Sequence, residues 1–169
     1  VENSALEQAI VLADTMPVHS HVALMADCHA GKGMPIGGVV PLINAICPNM
    51  VGVDIGCGML SVRTNLTTVD IEDLRDIFTY IKLMVPVGFN KRGEGKANLW
   101  DGFERAPDQE IVQQELANAK LSLGTLGGGN HFIEVQKGDD GHIWFMIHSG
   151  SRNFGLKVAQ GYHKLAVEY

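Results

Sequence analysis

Asp54 and Cys57 stand three residues apart in Val53-Asp54-Ile55-Gly56-Cys57-Gly58-Met59, a hard carboxylate and a soft sulfur in a glycine-broken apolar stretch. Two further segments, Gly127-Gly128-Gly129-Asn130-His131-Phe132-Ile133-Glu134 and Ile147-His148-Ser149-Gly150-Ser151-Arg152, add an imidazole each, His131 and His148. Mixed carboxylate, thiolate and imidazole donors suit a divalent transition metal better than magnesium or calcium. Donor type alone does not choose manganese over zinc. A purely structural reading stands beside this one, because Cys is among the most buried residue types and an Asp in a turn commonly caps its own backbone.

Period-2 alternation in a strand starting at Asn130 puts Asn130, Phe132 and Glu134 on one face and His131 and Ile133 on the other. A carboxylate can accept from the adjacent N1 and N2 donors of guanine, a phenyl ring can pack on a purine, and an amide can bond a phosphate or sugar. An ordinary amphipathic strand with an exposed Glu is the competing reading. Gly127 to Gly129 would let backbone N–H groups approach a phosphate, but the run lacks the Lys and Ser/Thr of a P-loop and the spacing of a dinucleotide fingerprint. Arg152, four residues beyond His148, has the planar fork that grips phosphate; a surface arginine is the alternative. Asp27, His29 and Lys32 form another polar cluster, to which spacing assigns no role.

The formal charge of −6 argues against general electrostatic adhesion to nucleic acid, so any such contact must be local. Candidate cations are Lys32, Arg63, Lys91, Arg92, Lys96 and Arg152. The three cysteines form no CxxC pair and fit a reducing cytoplasm better than a secreted disulfide framework. No apolar run approaches the roughly 18 residues of a membrane span. The 20 glycines, about 12% against a usual roughly 7%, imply many tight turns or close backbone approaches to a ligand. The length fits one domain, and no linker divides residues 1–169. The chain opens on Val1, which suggests a piece of a longer protein.

The elements that must position these groups follow from pattern. Ser4 to Glu7 has capping-box spacing, and Leu6, Ala9, Ile10 and Ala13 recur on one face, predicting a helix over residues 5–14. Short apolar runs at 22–25, 36–40, 50–55 and 59–62 between Gly, Pro and Asn breakers predict strands and loops. Asp70 should cap a helix that stops before Pro86. Residues 89–107 read as a long irregular loop, followed by a helix over 108–120. Strands over 131–135 and 142–148 flank a Gly-Asp-Asp-Gly turn; centred between Asp139 and Asp140, that turn sets His131 opposite His148. A last helix is predicted over 156–168.

The ordered set Ala26-Asp27-Cys28-His29-Ala30-Gly31-Lys32-Gly33, Pro35-Ile36-Gly37-Gly38, Gly52 to Gly58, Leu123 to Glu134 and His148 to Arg152 closely resembles the RtcB family of RNA ligases. The match runs from about Val22 to Gly155, in family order. The resemblance implies an α+β fold of mixed sheets with flanking helices and a site for two manganese ions. Asp54 and His131 would serve one ion, His148 the other, and Cys57 both, while Asn130, His131, Phe132, Ile133 and Glu134 contact GTP. It implies GTP-dependent joining of RNA 2′,3′-cyclic phosphate or 3′-phosphate ends to 5′-hydroxyl ends, through a guanylylated histidine. The RNA would be tRNA halves or damaged RNA.

Ala26 stands where the family usually has Pro. The guanylylated His and a further ligand His lie beyond the equivalent of Tyr169 in the family, so this chain is expected to be part of a ligase, with no catalytic nucleophile of its own and no sealing activity alone. A metal-dependent RNA phosphodiesterase or phosphatase and a silent metal-binding fragment are the alternatives. Oligomeric state is not legible.

Overall fold

The computed structural model describes residues 1–93 and 101–169. The elements are α1 (Asn3–Thr15), β1 (Ala23–His29), β2 (Ile36–Val39), α2 (Pro48–Val51), β3 (Gly58–Arg63), α3 (Ile71–Met84), α4 (Glu110–Ser122), β4 (Phe132–Lys137), β5 (Ile143–Ser149) and α5 (Phe154–Glu168), with a 3-10 turn at Asp101–Arg105 before α4. The fold is α+β, with two small antiparallel sheets among the described residues. Lys96 and most of the predicted 89–107 loop's centre lie outside the described residues. No helix among the described residues is long and apolar enough to cross a membrane. Contacts divide the chain into two units, Val1–Gly52 with Tyr169, and Val53–Glu168.

In the first unit, α1 buries Ala9 of the predicted face together with Ala5 and Leu12, while Leu6, Ile10 and Ala13 are exposed. The buried stripe also carries Gln8, whose side chain donates to Gly31 O (2.7 Å) and accepts from Gly31 N (3.0 Å). These paired amide bonds orient the helix. The Ser4 capping box does not form: Glu2 is the N-cap residue, and its carboxylate accepts from Ala30 N at 2.5 Å. β1 and β2 pair antiparallel with an irregularity between Leu24 and His29. The apolar run at 50–55 is not a strand, since Pro48 starts the single turn of α2.

The second unit holds the sheet β3-β5-β4, with β5 central. Asp70 caps α3 as predicted, its Oδ1 accepting from Glu72 N (2.9 Å) and Asp73 N (2.8 Å). Such a cap contributes about 1 kcal/mol. α4 and α5 pack together, with Val112, Ser122, Gly155 and Ala159 buried.

The β4–β5 register differs from expectation by one residue. Phe132, not His131, faces His148, and pairing continues to Lys137 opposite Ile143. The cause is the hairpin loop. Gly138 N donates to His142 O (2.8 Å), Gly141 N donates to Gly138 O (2.9 Å), and Gly141 takes φ +79°, so three residues are looped out instead of two. A glycine in the left-handed region closing a type I turn is the usual chemistry of that loop length. The strand also begins at Phe132, leaving Asn130 and His131 in the turn before it and outside the predicted alternation.

Asp140 ties this hairpin to β3. Its carboxylate accepts from Trp144 Nε1 (3.0 Å), Arg63 Nε (2.7 Å) and His142 N (3.1 Å). The Trp144 bond, then the Arg63 and His142 bonds, hold its carboxyl well below the usual carboxylate range. A depressed folded-state pKa stabilises the fold above the unfolded value, roughly 3.9, and that stabilisation fades as pH falls below it. The melting-temperature gap between the native chain and Asp140→Ala is therefore expected to be constant above about pH 5 and to narrow under more acidic conditions. A gap independent of pH in melts from pH 7 to pH 3 would show that these bonds do not favour the ionised carboxylate.

Candidate metal centre and adjoining cavity

Antiparallel pairing sets the first residues of β3 and β4 beside the last residues of β5, with Gly58 opposite Ser149 and Phe132 opposite His148. Cys57, His131 and His148 therefore meet at one end of the sheet. One donor atom from each lies within 4.8 Å of the other two. The two imidazoles meet edge to face with centroids 5.3 Å apart, and Cys57 Sγ is 3.7 Å from His131 Nε2. The histidines converge although they are not cross-strand partners, because His131 sits just before its strand and is not bound to the pleat.

The two imidazoles are held differently. His148 Nδ1 is 3.2 Å from Gly58 O. A carbonyl only accepts, so the proton resides on Nδ1 and Nε2 keeps its lone pair, the arrangement usual for a metal-binding histidine. His131 Nδ1 is buried without a hydrogen-bond partner among the described residues. An unsatisfied buried nitrogen costs about 1–3 kcal/mol; this one faces Gly127, while Nε2 is the ring nitrogen beside Cys57 Sγ. His142 Nδ1 is also unpartnered, but no other donor groups with it among the described residues.

Two glycines make the room. A Cβ at Gly150 would stand 2.5 Å from His131 Cε1 and Nε2 and 3.2 Å from Cys57 Sγ, and one at Gly127 (φ +90°) would stand 2.6 Å from His131 Nδ1. Neither position accepts a side chain with the imidazole in place. Burial, and then the nearby Asp54 carboxylate, push the Cys57 thiol above its ordinary value.

Asp54 does not join the group of three donors. Its Oδ1 accepts from Ser151 Oγ at 2.9 Å, and Ser151 Oγ in turn accepts from Gly155 N at 2.7 Å. Asp54 instead lines, with His131 and Arg152, a cavity of about 520 Å³ whose wall also includes Gly88, Phe89 and Lys91. Ser151 was missed as a positioning residue by sequence reasoning. Its only sequence signal is its place between Gly150 and Arg152.

Arg152 is partly committed. Its Nε donates to Thr125 Oγ1 (2.8 Å), which is buried, and its Nη2 donates to Gly88 O (2.5 Å). It holds the cavity's walls together as well as facing into it. Phe132 and Glu134 share one sheet face with His148, while Ile133 lies on the other. The Phe132 ring packs beside His148 at 5.7 Å between centroids, and Gln136 donates from the same face to Glu134 Oε2. Asn130 is exposed in the preceding turn.

The family model described as tRNA-splicing ligase RtcB matches residues 8–169. The chain is 37% identical to the RNA-splicing ligase RtcB of Escherichia coli K12, over 98% of this chain and 45% of that protein. It is 30% identical to the tRNA-splicing ligase RtcB of Pyrobaculum aerophilum, over 93% of this chain and 43% of that protein. It thus spans less than half the length of these relatives. The chain belongs to the RtcB family of tRNA-splicing ligases.

Proposed function

We propose that this chain supplies the metal-holding and guanine-reading part of an RNA ligase that depends on GTP and manganese. In this reading the ligase joins 2′,3′-cyclic phosphate or 3′-phosphate RNA ends to 5′-hydroxyl ends through a guanylylated histidine outside these 169 residues. The observation that carries the reading is the convergence of Cys57, His131 and His148 on the same sheet end as Phe132 and Glu134. Family membership and the names of the relatives support RNA as the substrate.

The donor set fits a divalent cation. It offers a thiol and two imidazoles, one with its tautomer fixed by a carbonyl and the other with Nε2 turned to the thiol. A cation held there supplies positive charge against a reacting phosphoryl group. Asp54, three residues before Cys57, is the candidate fourth ligand, and Ser151 orients its carboxylate. Glu134 accepts the N1 and N2 protons of guanine, and Gln136 steadies one of its oxygens for that task. Phe132 packs on the purine. Arg152 offers its remaining guanidinium edge to phosphate.

Cys57→Ser and His148→Ala are each expected to reduce bound manganese at least tenfold, read by elemental analysis after dialysis. Gly150→Ala should do the same without removing a ligand, because the added methyl would displace the His131 ring. Unchanged metal content in Cys57→Ser and His148→Ala would remove the metal assignment.

For the nucleotide, GTP should bind in preference to ATP, and Glu134→Gln should erase most of that preference. Hydrogen bonds to a charged group are worth about 1.5–3 kcal/mol, roughly tenfold to a hundredfold in affinity. Equal binding of the two nucleotides by the native chain, in competition with a fluorescent GTP analogue, would contradict the guanine assignment. Opening of a cyclic-phosphate RNA without joining, once the whole ligase is assayed, would move the reading to a phosphodiesterase.

A further inference from the structure

The Phe89 side chain is fully exposed, at 101% of its reference area, and it stands on the rim of the cavity that contains His131, Arg152 and Asp54. We propose that this ring is a stacking platform for a nucleobase of the RNA strand, with Lys91 beside it taking a backbone phosphate. The proposal rests on the RNA-ligase reading above and adds to it a substrate subsite.

The loop that carries the ring is braced. Val87 bridges Gly127, and Gly88 N donates to Gly127 O at 2.8 Å. Gly88 O accepts from Arg152, Asn90 N donates to Val87 O at 3.3 Å, and Arg92 N donates to Leu121 O at 2.9 Å. The Arg92 guanidinium bonds the carbonyls of Met84 and Gly124. A braced backbone that holds a phenyl ring wholly in water gains nothing from packing it. It does present a flat apolar face at fixed distance from the cavity, at little entropic cost on binding.

The chemistry around the ring selects the ligand. Lys91, two residues on, lines the same cavity and donates to Asn118 Oδ1, while the Asn118 amide nitrogen is turned to Glu115. Among the described residues of the wall, Lys91 and Arg152 put two cations against the carboxylate of Asp54. An exposed aromatic beside cations that can follow a phosphodiester chain is the recurring arrangement for single-stranded nucleic acid, and it tolerates any base because every base has a π face. A purely apolar protein segment would use the ring but not the lysine.

The test is equilibrium binding of a short single-stranded RNA with a 5′-hydroxyl end and a 2-aminopurine reporter, titrated into the 169-residue chain. Phe89→Ala should weaken binding roughly tenfold or more and relieve the quenching of the reporter, as should Phe89→Leu. Phe89→Trp should retain both affinity and quenching. Lys91→Ala should lower the slope of log K against log salt by about 0.7, the loss of one phosphate contact on a single strand. Undiminished binding by Phe89→Ala overturns the proposal, and so does full binding by Phe89→Leu, which would mark the ring as an apolar cover for another protein surface. Should the native chain bind no RNA, the RNA reading of the cavity falls along with this subsite. Binding by the native chain that is indifferent to Phe89 sinks the subsite alone.

Discussion

Everything at the candidate centre depends on the space that two missing side chains leave around one imidazole. Gly127 and Gly150 approach the His131 ring from either side, closer than any Cβ permits. That approach has a further effect. It draws the 125–131 turn against the end of β5 and the segment after it, where Ser149 Oγ donates to Leu126 O at 3.1 Å and Arg152 reaches Thr125 and Gly88. The three clustered donors, strand β4 and the cavity wall are consequently parts of one knot of backbone. A methyl at either glycine would disturb all of them through the position of a single ring.

The sheet translates that local constraint into a site. β5 is flanked on both sides, and its end at Ser149 lies beside the starts of β3 and β4. The other end of the β4–β5 pair is the hairpin at Asp140, whose carboxylate bonds both Trp144 of β5 and Arg63 of β3. Register fixed at that end determines which residue of β4 faces His148 at the other. Because successive side chains of a strand alternate faces, a one-residue change in the loop would send Phe132 and Glu134 away from the His148 face. The turn and the site are separated by the full length of the strands yet are mechanically one element.

The parts of this arrangement legible in the sequence are those whose signal is local. The Asp70 cap, the stop of α3 before Pro86 and the donor types at 57, 131 and 148 are all written within a few residues. The register of β4 was not, because Gly-Asp-Asp-Gly accommodates either a two-residue or a three-residue loop and only the φ of Gly141 decides between them. The buried face of α1 was not, because Gln8 is polar and its reason for facing inward is the backbone of Gly31, 23 residues away. Asp54 shows the same limit: spacing places it beside Cys57, whereas the orientation of its carboxylate is decided by Ser151, 97 residues on. Phe89 and Lys91 were legible only as part of a long cationic loop, since their role depends on a cavity wall built from α4 and the 125–131 turn.

A chain of net charge −6 can still offer a local site to a polyanion, because its cations are not equivalent. Arg63 is spent on Asp140, and Arg92 on two backbone carbonyls. Arg152 is spent on two of its three guanidinium nitrogens. Among the described residues, Lys91 donates to a neutral amide oxygen, a partner that does not cancel its charge. Any cation held by Cys57, His131 and His148 would add to it, since His131 lines the same cavity. Surface charge elsewhere, screened beyond about 10 Å in ordinary salt, scarcely opposes that local balance, so the acidic total limits non-specific adhesion without preventing entry of one strand end into this cavity.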